Sequence, residues 1–376
     1  MLTIYSKLVN KIERENPMKK YRAGIAGSTH INSHLYSLSA VPSVDLVAAV
    51  ASTEEEKKHF QDHGISNIYP NYHQMLDNEN LDIFEIDTDP SQLYKMVLAA
   101  AQRGVHVIGE KPIAISLEQA DEMVETCDKA GIHLAIHNMR RCDPYHIRAK
   151  ELVEDGFIGQ LLSIRAICRD PRPAGHCLIN LGTHLFDTIR LLGGDADWIF
   201  GHVTVEGRSI EAEDIKYASG GFGLIAGDKV TTSLRLKSGV VAQAEFWMAT
   251  PSYFGIELIG TDGSLVIRQP ESPAPMMYRS DALWSANRED NEWKPVELSP
   301  DQSDELGSDR WNSVYRIVVQ EFVRCIETGK EHPTSGRQAL KALELIAGTY
   351  ESHRLGKPVM MPLTQRKHPL EIWLQS

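Results

Sequence analysis

Several short stretches of this chain hold residues whose types and spacing suit chemistry. Gly27-Ser28-Thr29-His30-Ile31-Asn32 lies between a strand-like run and a helical pattern, where backbone amides and a helix N-terminus can take a phosphate. Of the three glycines that a dinucleotide-binding loop uses, only Gly27 is present. It permits the tight turn, while Thr29 and Asn32 stand where pyrophosphate approaches and where the helix packs on the strand. The Ser28 and Thr29 hydroxyls are donors for phosphate; the competing reading is a strand-to-helix turn that binds nothing. Asn180 and His184 are four residues apart, so both are expected to point from one helix face into one cleft. Asp187, one turn on, either fixes the His184 tautomer or caps local structure. Just ahead of them Arg169, Arg172 and His176 form a basic stretch suited to clamp a carboxylate or phosphate, since arginine grips such groups with paired hydrogen bonds. The alternative is a loop whose arginines pair with surface acids.

These residues need elements to carry them. From Tyr21 to about Met139, apolar runs (21–26, 46–51, 82–86, 105–108, 132–137) alternate with helical patterns (31–40, 54–63, 91–103, 117–130), which implies βαβ units and a parallel sheet. In such a sheet ligands sit outside the carboxyl ends of the strands, where Val105-His106-Val107-Ile108-Gly109-Glu110-Lys111-Pro112 would deliver Lys111. The second run ends in Ala51-Ser52-Thr53, without the acidic residue that usually binds the ribose diol of NAD. NADP is therefore permitted, yet Glu54-Glu55-Glu56 follow instead of an arginine. Thr53 as N-cap with Glu56 completing a capping box is the structural alternative there. Beyond residue 140 the pattern changes to helices at 145–154 and 183–192, alternating runs at 161–167, 230–236, 240–247, 255–259 and 264–267, a polar surface excursion at 270–309, and closing helices at 311–328 and 337–354. The fold class expected is α/β, a Rossmann doubly wound parallel sheet followed by an α+β domain with a large, mostly antiparallel open-faced sheet.

The chain has 376 residues, 39 Lys+Arg against 51 Asp+Glu, and a formal charge of −12, a balance that argues against general nucleic-acid binding. No apolar run reaches the roughly 18 residues of a membrane helix. Lys7, Asn10, Lys11 and Glu13 interrupt any apolar core of a secretion signal, and five scattered cysteines form no Cys-x-x-Cys pair. A cytoplasmic protein without disulfides is expected. His133, His137 and His146 cluster in sequence but lack partners at metal-ligand spacing, so no metal is expected.

Taken in order, the segments resemble the Gfo/Idh/MocA family of oxidoreductases. Gly109-Glu110-Lys111-Pro112 resembles its Glu-Lys-Pro motif, and Asp89-Pro90 its cofactor-contacting turn. Arg140-Arg141-Cys142-Asp143-Pro144 is similar to its domain crossover, and Asn180-Leu181-Gly182-Thr183-His184-Leu185-Phe186-Asp187 looks like its Asp-x-Gly-x-His-x-x-Asp helix. Gly260-Thr261-Asp262-Gly263-Ser264 matches its second-domain hairpin. The resemblance spans residues 20 to 363. It implies hydride transfer between NAD or NADP and a hydroxyl carbon of a sugar, cyclitol or derivative. Lys111 would orient the reacting hydroxyl and lower its pKa, His184 would be the general acid/base, and Asn180 would stand beside them. Gly27, Ser28, Thr29, His30, Ser52, Asp89, Pro90 and Glu110 would hold the cofactor, and Arg141, Arg169, Arg172 and His176 the substrate.

The departures from the family are Asn180 in place of Asp, Tyr94 in place of His, and the two missing glycines. They leave a second reading, a catalytically degenerate, non-redox sugar-binding or regulatory relative. The expected domains are an extension at 1–17, a dinucleotide-binding domain at 18–139, a substrate-binding and oligomerisation domain at 140–363, and a tail at 364–376. A homo-oligomer, dimer or tetramer, is expected through the uncovered sheet face, with Trp247 in its core or interface.

Overall fold

Charge sits where a parallel strand is usually apolar. The computed structural model describes residues 19–27, 29–269, 271, 274–280 and 292–375; Ser28 and the 1–17 extension lie outside them. The first half runs β1 (Tyr21–Gly27), α1 (Ile31–Ser39), β2 (Val44–Val50), α2 (Glu54–Asp62), β3 (Asn67–Tyr69), α3 (Tyr72–Asn78), β4 (Ile83–Asp87), α4 (Pro90–Ala101), β5 (His106–Gly109), α5 (Leu117–Ala130) and β6 (Leu134–Ile136). The strands pair in parallel in the order β3-β2-β1-β4-β5-β6. That is the doubly wound order, with its switch point between β1 and β4. The sixth strand escaped the sequence reading because β3 has three residues, too few to show a period. All five residues of β4 are buried, and two of them are Glu85 and Asp87.

The second half begins with α6 (Pro144–Glu154), β7 (Leu161–Asp170), α7 (Ala174–Asn180), α8 (Gly182–Gly193), β8 (Ala196–Val205) and β9 (Arg208–Ser209). The short pair β10 (Lys216–Tyr217) and β11 (Leu224–Ile225) follows, then β12 (Lys229–Leu236), β13 (Val241–Met248), β14 (Tyr253–Gly260), β15 (Ser264–Gln269), β16 (Met276–Arg279) and β17 (Lys294–Pro295). The chain closes with α9 (Pro300–Leu306), α10 (Arg310–Thr328), α11 (Gly336–Leu355), β18 (Val359–Met360) and α12 (Pro369–Leu374). The sheet order is β17-β16-β15-β14-β7-β13-β12-β8-β18, with β9 beside β8; only β7 and β13 pair in parallel.

Helices α7, α8 and α11 cover one face of this sheet. The other carries Arg165, Ile167, Glu245, Trp247 and Glu257 in register, with Arg165 paired to Glu245 at 2.8 Å. The 270–309 excursion is corrected in part, because Met276 and Met277 are buried and β16 and β17 extend the sheet; residues 281–291 lie outside the described residues. A four-residue strand preceded by prolines gives no periodic signal. No described helix is long and apolar enough to cross a membrane.

The two halves share a core. Helix α10 packs on α1, joining Val318 and Phe322 to Tyr21, Ile25, Leu35 and Leu38. Residues at the chain's end are docked as well: Leu370 is buried, and the Arg366 guanidinium grips Asp121 on α5 at 2.6 Å. Removing the fully buried Phe322 ring in Phe322→Ala should lower the unfolding free energy by about 3–5 kcal/mol in urea titrations. An effect below about 1 kcal/mol would mean α10 is not part of this core.

Candidate active site

The site grows from the carboxyl ends of β1, β4 and β5. Gly27 has φ of +131°, and a Cβ there would lie 1.7 Å from the Asp87 carbonyl oxygen, so no other residue fits this approach of β1 to β4. Helix α1 then starts with no side-chain cap and no acidic residue in its first turn, which leaves its N-terminus suited to an anion. Asp87 takes the His30 amide at 2.6 Å. Asn32 is exposed, so a side chain is accommodated there.

A cavity of about 670 Å³ opens at this edge, with Thr29, His30, Asp89, Pro90, Glu110 and Lys111 on the first half's side. Arg172, His176 and Asn180 face them from the second half. The loop between β10 and β11 crosses above it, with Ser219, Gly220 and Phe222 in the lining. Sequence reading missed this loop, whose only signal is its glycine content. Asp89 is the N-cap of α4, accepting from the Ser91 and Gln92 amides, and Pro90 opens the helix.

At the centre, Lys111 Nζ donates to Asn180 Oδ1 at 2.6 Å. Burial holds the Lys111 pKa below the usual lysine range; Glu110 and Asp87 oppose that shift and Arg172 adds to it. The structure separates Asn180 from His184: Asn180 ends α7, and His184 lies in α8 beyond the break at Leu181. His184 lines an adjoining cavity of about 490 Å³, which shares Arg172 and Leu181 with the first. The single cleft expected from their spacing is thus two connected ones. His184 Nδ1 is buried without a hydrogen-bond partner among the described residues, and burial together with the Lys111 and Arg140 cations holds its pKa well below the ordinary 6.5. It is a neutral imidazole able to accept a proton.

Three expected roles change. Asp187 does not reach His184; it is held by Arg141 Nε at 2.8 Å and Arg190 Nη1 at 3.1 Å. Arg141, expected to hold substrate, is instead engaged by the buried Asp187, because an unpaired carboxylate at that depth would be costly. Ser52 is exposed, and its amide, like that of the Thr53 N-cap, donates to Glu56 in the capping box. Tyr94 turns away to Glu122, with its hydroxyl 2.5 Å from Oε2.

Beneath Lys111 lies a network that sequence reading missed. His34 Nδ1 meets Glu85 Oε1 at 2.5 Å, His137 Nε2 meets the same oxygen at 2.7 Å, and His34 Nε2 faces Glu110 Oε1 at 3.3 Å. The Tyr315 hydroxyl of α10 also donates to Glu110, at 3.3 Å. His34, Glu85 and His137 are the candidate metal ligands among the described residues, but their separations are those of hydrogen bonds. Burial opposes a charge on His34, yet hydrogen bonds to Glu110 and Glu85 outweigh it and raise its pKa to about 10.

Comparisons with known proteins give the family. One family model, "Oxidoreductase family, NAD-binding Rossmann fold", matches residues 22–137, and a second, "Oxidoreductase family, C-terminal alpha/beta domain", matches 150–361. The chain belongs to the Gfo/Idh/MocA family. Among Gfo/Idh/MocA relatives, the D-apiose dehydrogenase of Paraburkholderia graminis is 25% identical, over 94% of this chain and 92% of its own length. The myo-inositol 2-dehydrogenase of Thermotoga maritima is 23% identical, over 86% of this chain and 93% of its own. A levoglucosan dehydrogenase solved with NADH and levoglucosan superposes with a TM-score of 0.76 at 20% identity, covering 92% of this chain and all of that one.

The His34 shift fixes the sign of a pH effect. A folded-state pKa raised from 6.5 to about 10 gives stability that is fully present below 6.5 and lost as pH rises towards 10. Urea-unfolding free energies should fall across that range in the native protein, and less steeply in His34→Gln. Equal slopes would show that His34 is not the group that titrates.

Proposed function

We propose that this protein is an NAD(P)-dependent dehydrogenase acting on a hydroxyl carbon of a sugar, cyclitol or sugar derivative. The observation that carries the reading is the Lys111–Asn180 contact at 2.6 Å, on the wall of a cavity at the β1/β4 switch point, with neutral His184 in the adjoining cavity. The names of the relatives, sugar and inositol dehydrogenases, support the substrate class.

Gly27, Thr29, His30 and the α1 N-terminus would take the dinucleotide's phosphates, with Asp89, Pro90 and Glu110 further along the same cavity. When bound, the dinucleotide supplies a hydride acceptor. Lys111, steered by Asn180, donates a hydrogen bond to the reacting hydroxyl and stabilises the negative charge that develops on its oxygen. His184, kept neutral, takes the hydroxyl proton. Asn180 cannot exchange a proton; it holds the Lys111 amine in place. The uncovered sheet face supports a homo-oligomer, with Trp247 half-buried on it.

Titration calorimetry with NAD(H) and NADP(H) tests the cofactor, and micromolar binding is expected for at least one pair. Lys111→Met should keep that binding and abolish turnover in a polyol screen. No binding of either pair at millimolar concentration would leave the non-redox, sugar-binding reading. A second outcome concerns pH. Because the His184 pKa is lowered, protonation removes the acceptor only well below 6.5, so kcat/KM for oxidation should show no loss near 6.5. An acid limb at 6.5 that disappears in His184→Asn would contradict this.

A further inference from the structure

The cavity beside His184 is lined by Arg140, Arg169, Arg172, Asp170, Tyr253 and Gln269, among others. Three guanidinium groups against one carboxylate make an unusual wall for an uncharged polyol, so the partners of each arginine matter. Arg172 is satisfied by Asp170, with Nε–Oδ1 at 2.7 Å and Nη2–Oδ2 at 3.0 Å. Arg140 belongs to an ion-paired quartet. Its Nη1 lies 3.7 Å from Asp143, Arg310 reaches Asp143 at 2.6 Å, and Arg310 also holds Glu271 at 2.6 Å. Two cations there meet two carboxylates. His146, 3.0 Å from Asp143, has its pKa lowered by burial and adds no charge. Arg169 donates from Nε to the Pro251 carbonyl at 2.6 Å and has no carboxylate partner among the described residues. One positive charge is left over.

The presentation of Arg140 is equally specific. The Phe254 and Trp311 rings lie 5.2 and 4.6 Å from its guanidinium carbon, so aromatic surface, not carboxylate, is its close company on those sides. The N–H groups along its edge are under-used: Nη2 reaches Gln269 Oε1 at 3.3 Å, and buried Nε has no hydrogen-bond partner among the described residues. Burial pushes the Arg140 pKa down to about 10, and an anion at the edge would relieve that cost. A planar acceptor with two oxygens suits such an edge.

We propose that this second cavity is a carboxylate subsite, and that the substrate is a polyhydroxy monocarboxylate (a hexuronate or hexonate, for example) held by Arg169 and the edge of Arg140 with its hydroxyl carbon towards Lys111 and His184. The inference deepens the dehydrogenase reading and rests on it for the reacting end. One surplus charge matches a monoanion, whereas a phosphate dianion would leave excess negative charge against Asp170. His176, read from sequence as part of the clamp, and Arg141, expected to hold substrate, are not part of it: Arg141 is held by Asp187, and His176 lines the first cavity.

The test measures binding without turnover. Glucuronate, galacturonate and gluconate are titrated calorimetrically against glucose, galactose and glucose 6-phosphate, with and without NADH. At least one acid should bind at least about tenfold tighter than its neutral parent, the difference that about 1.4 kcal/mol makes. The preference should shrink with added salt and fall to about threefold or less in Arg169→Gln, whose half-exposed position tolerates the change. The proposal is overturned if neutral sugars bind as well as the acids, if the phosphate ester binds tightest, if no acid binds at millimolar concentration, or if Arg169→Gln keeps the ratio. A protein that takes the acids but no dinucleotide would sink the dehydrogenase reading and leave the subsite standing.

Discussion

Carboxylates sealed inside a parallel sheet must be met by donors, and much of the first half is arranged around that requirement. Glu85 and Asp87 on β4 and Glu110 after β5 converge on one interior point. His34 bridges two of them, His137 adds a second donor to Glu85, and the His30 amide closes on Asp87. Left unpaired at this depth, such charges would cost several kcal/mol each. Meeting them fixes where α1 lies, how the loop after Gly27 enters it, and where Glu110 hands the chain on to Lys111. Helix α10 takes part through Tyr315, beside the apolar residues that pack it on α1.

The same logic governs the neighbouring cavities. A buried lysine would be unfavourable alone, and Lys111 is accommodated by Asn180 and the Glu110 charge beneath it. His184 meets the opposite situation: burial, with the Lys111 and Arg140 cations, outweighs the Glu110 charge and keeps it neutral. The break at Leu181 turns one predicted helix into two and puts these groups on either side of a shared wall. An amine that donates and an imidazole that accepts are thus held apart and can act on one substrate lying across the junction.

The local readings that held are those in which neighbouring residues decide the structure. Thr53 with Glu56 is a capping box because the donors and acceptors are three residues apart, and Asp89-Pro90 opens a helix for similar reasons. Helix α5 ends at Ala130 because Gly131 adopts a left-handed conformation that caps it. Strands such as β3 and β16 were too short to show periodicity. Arg141 and Asp187 were misread because which charge faces which is settled across 46 residues of chain.

By itself, then, the sequence determined the α/β order, the Gly27 turn, and the arrival of Lys111 at a strand end, since each follows from periodicity or from the steric limits of a few adjacent residues. Tertiary structure alone decided that His34, Glu85, Glu110, His137 and Tyr315 meet, that Asn180 and His184 face different cavities, and that Arg169 has no carboxylate partner among the described residues while its neighbours have theirs. Those outcomes depend on burial and on long-range pairing of charges, which leave no trace in local spacing.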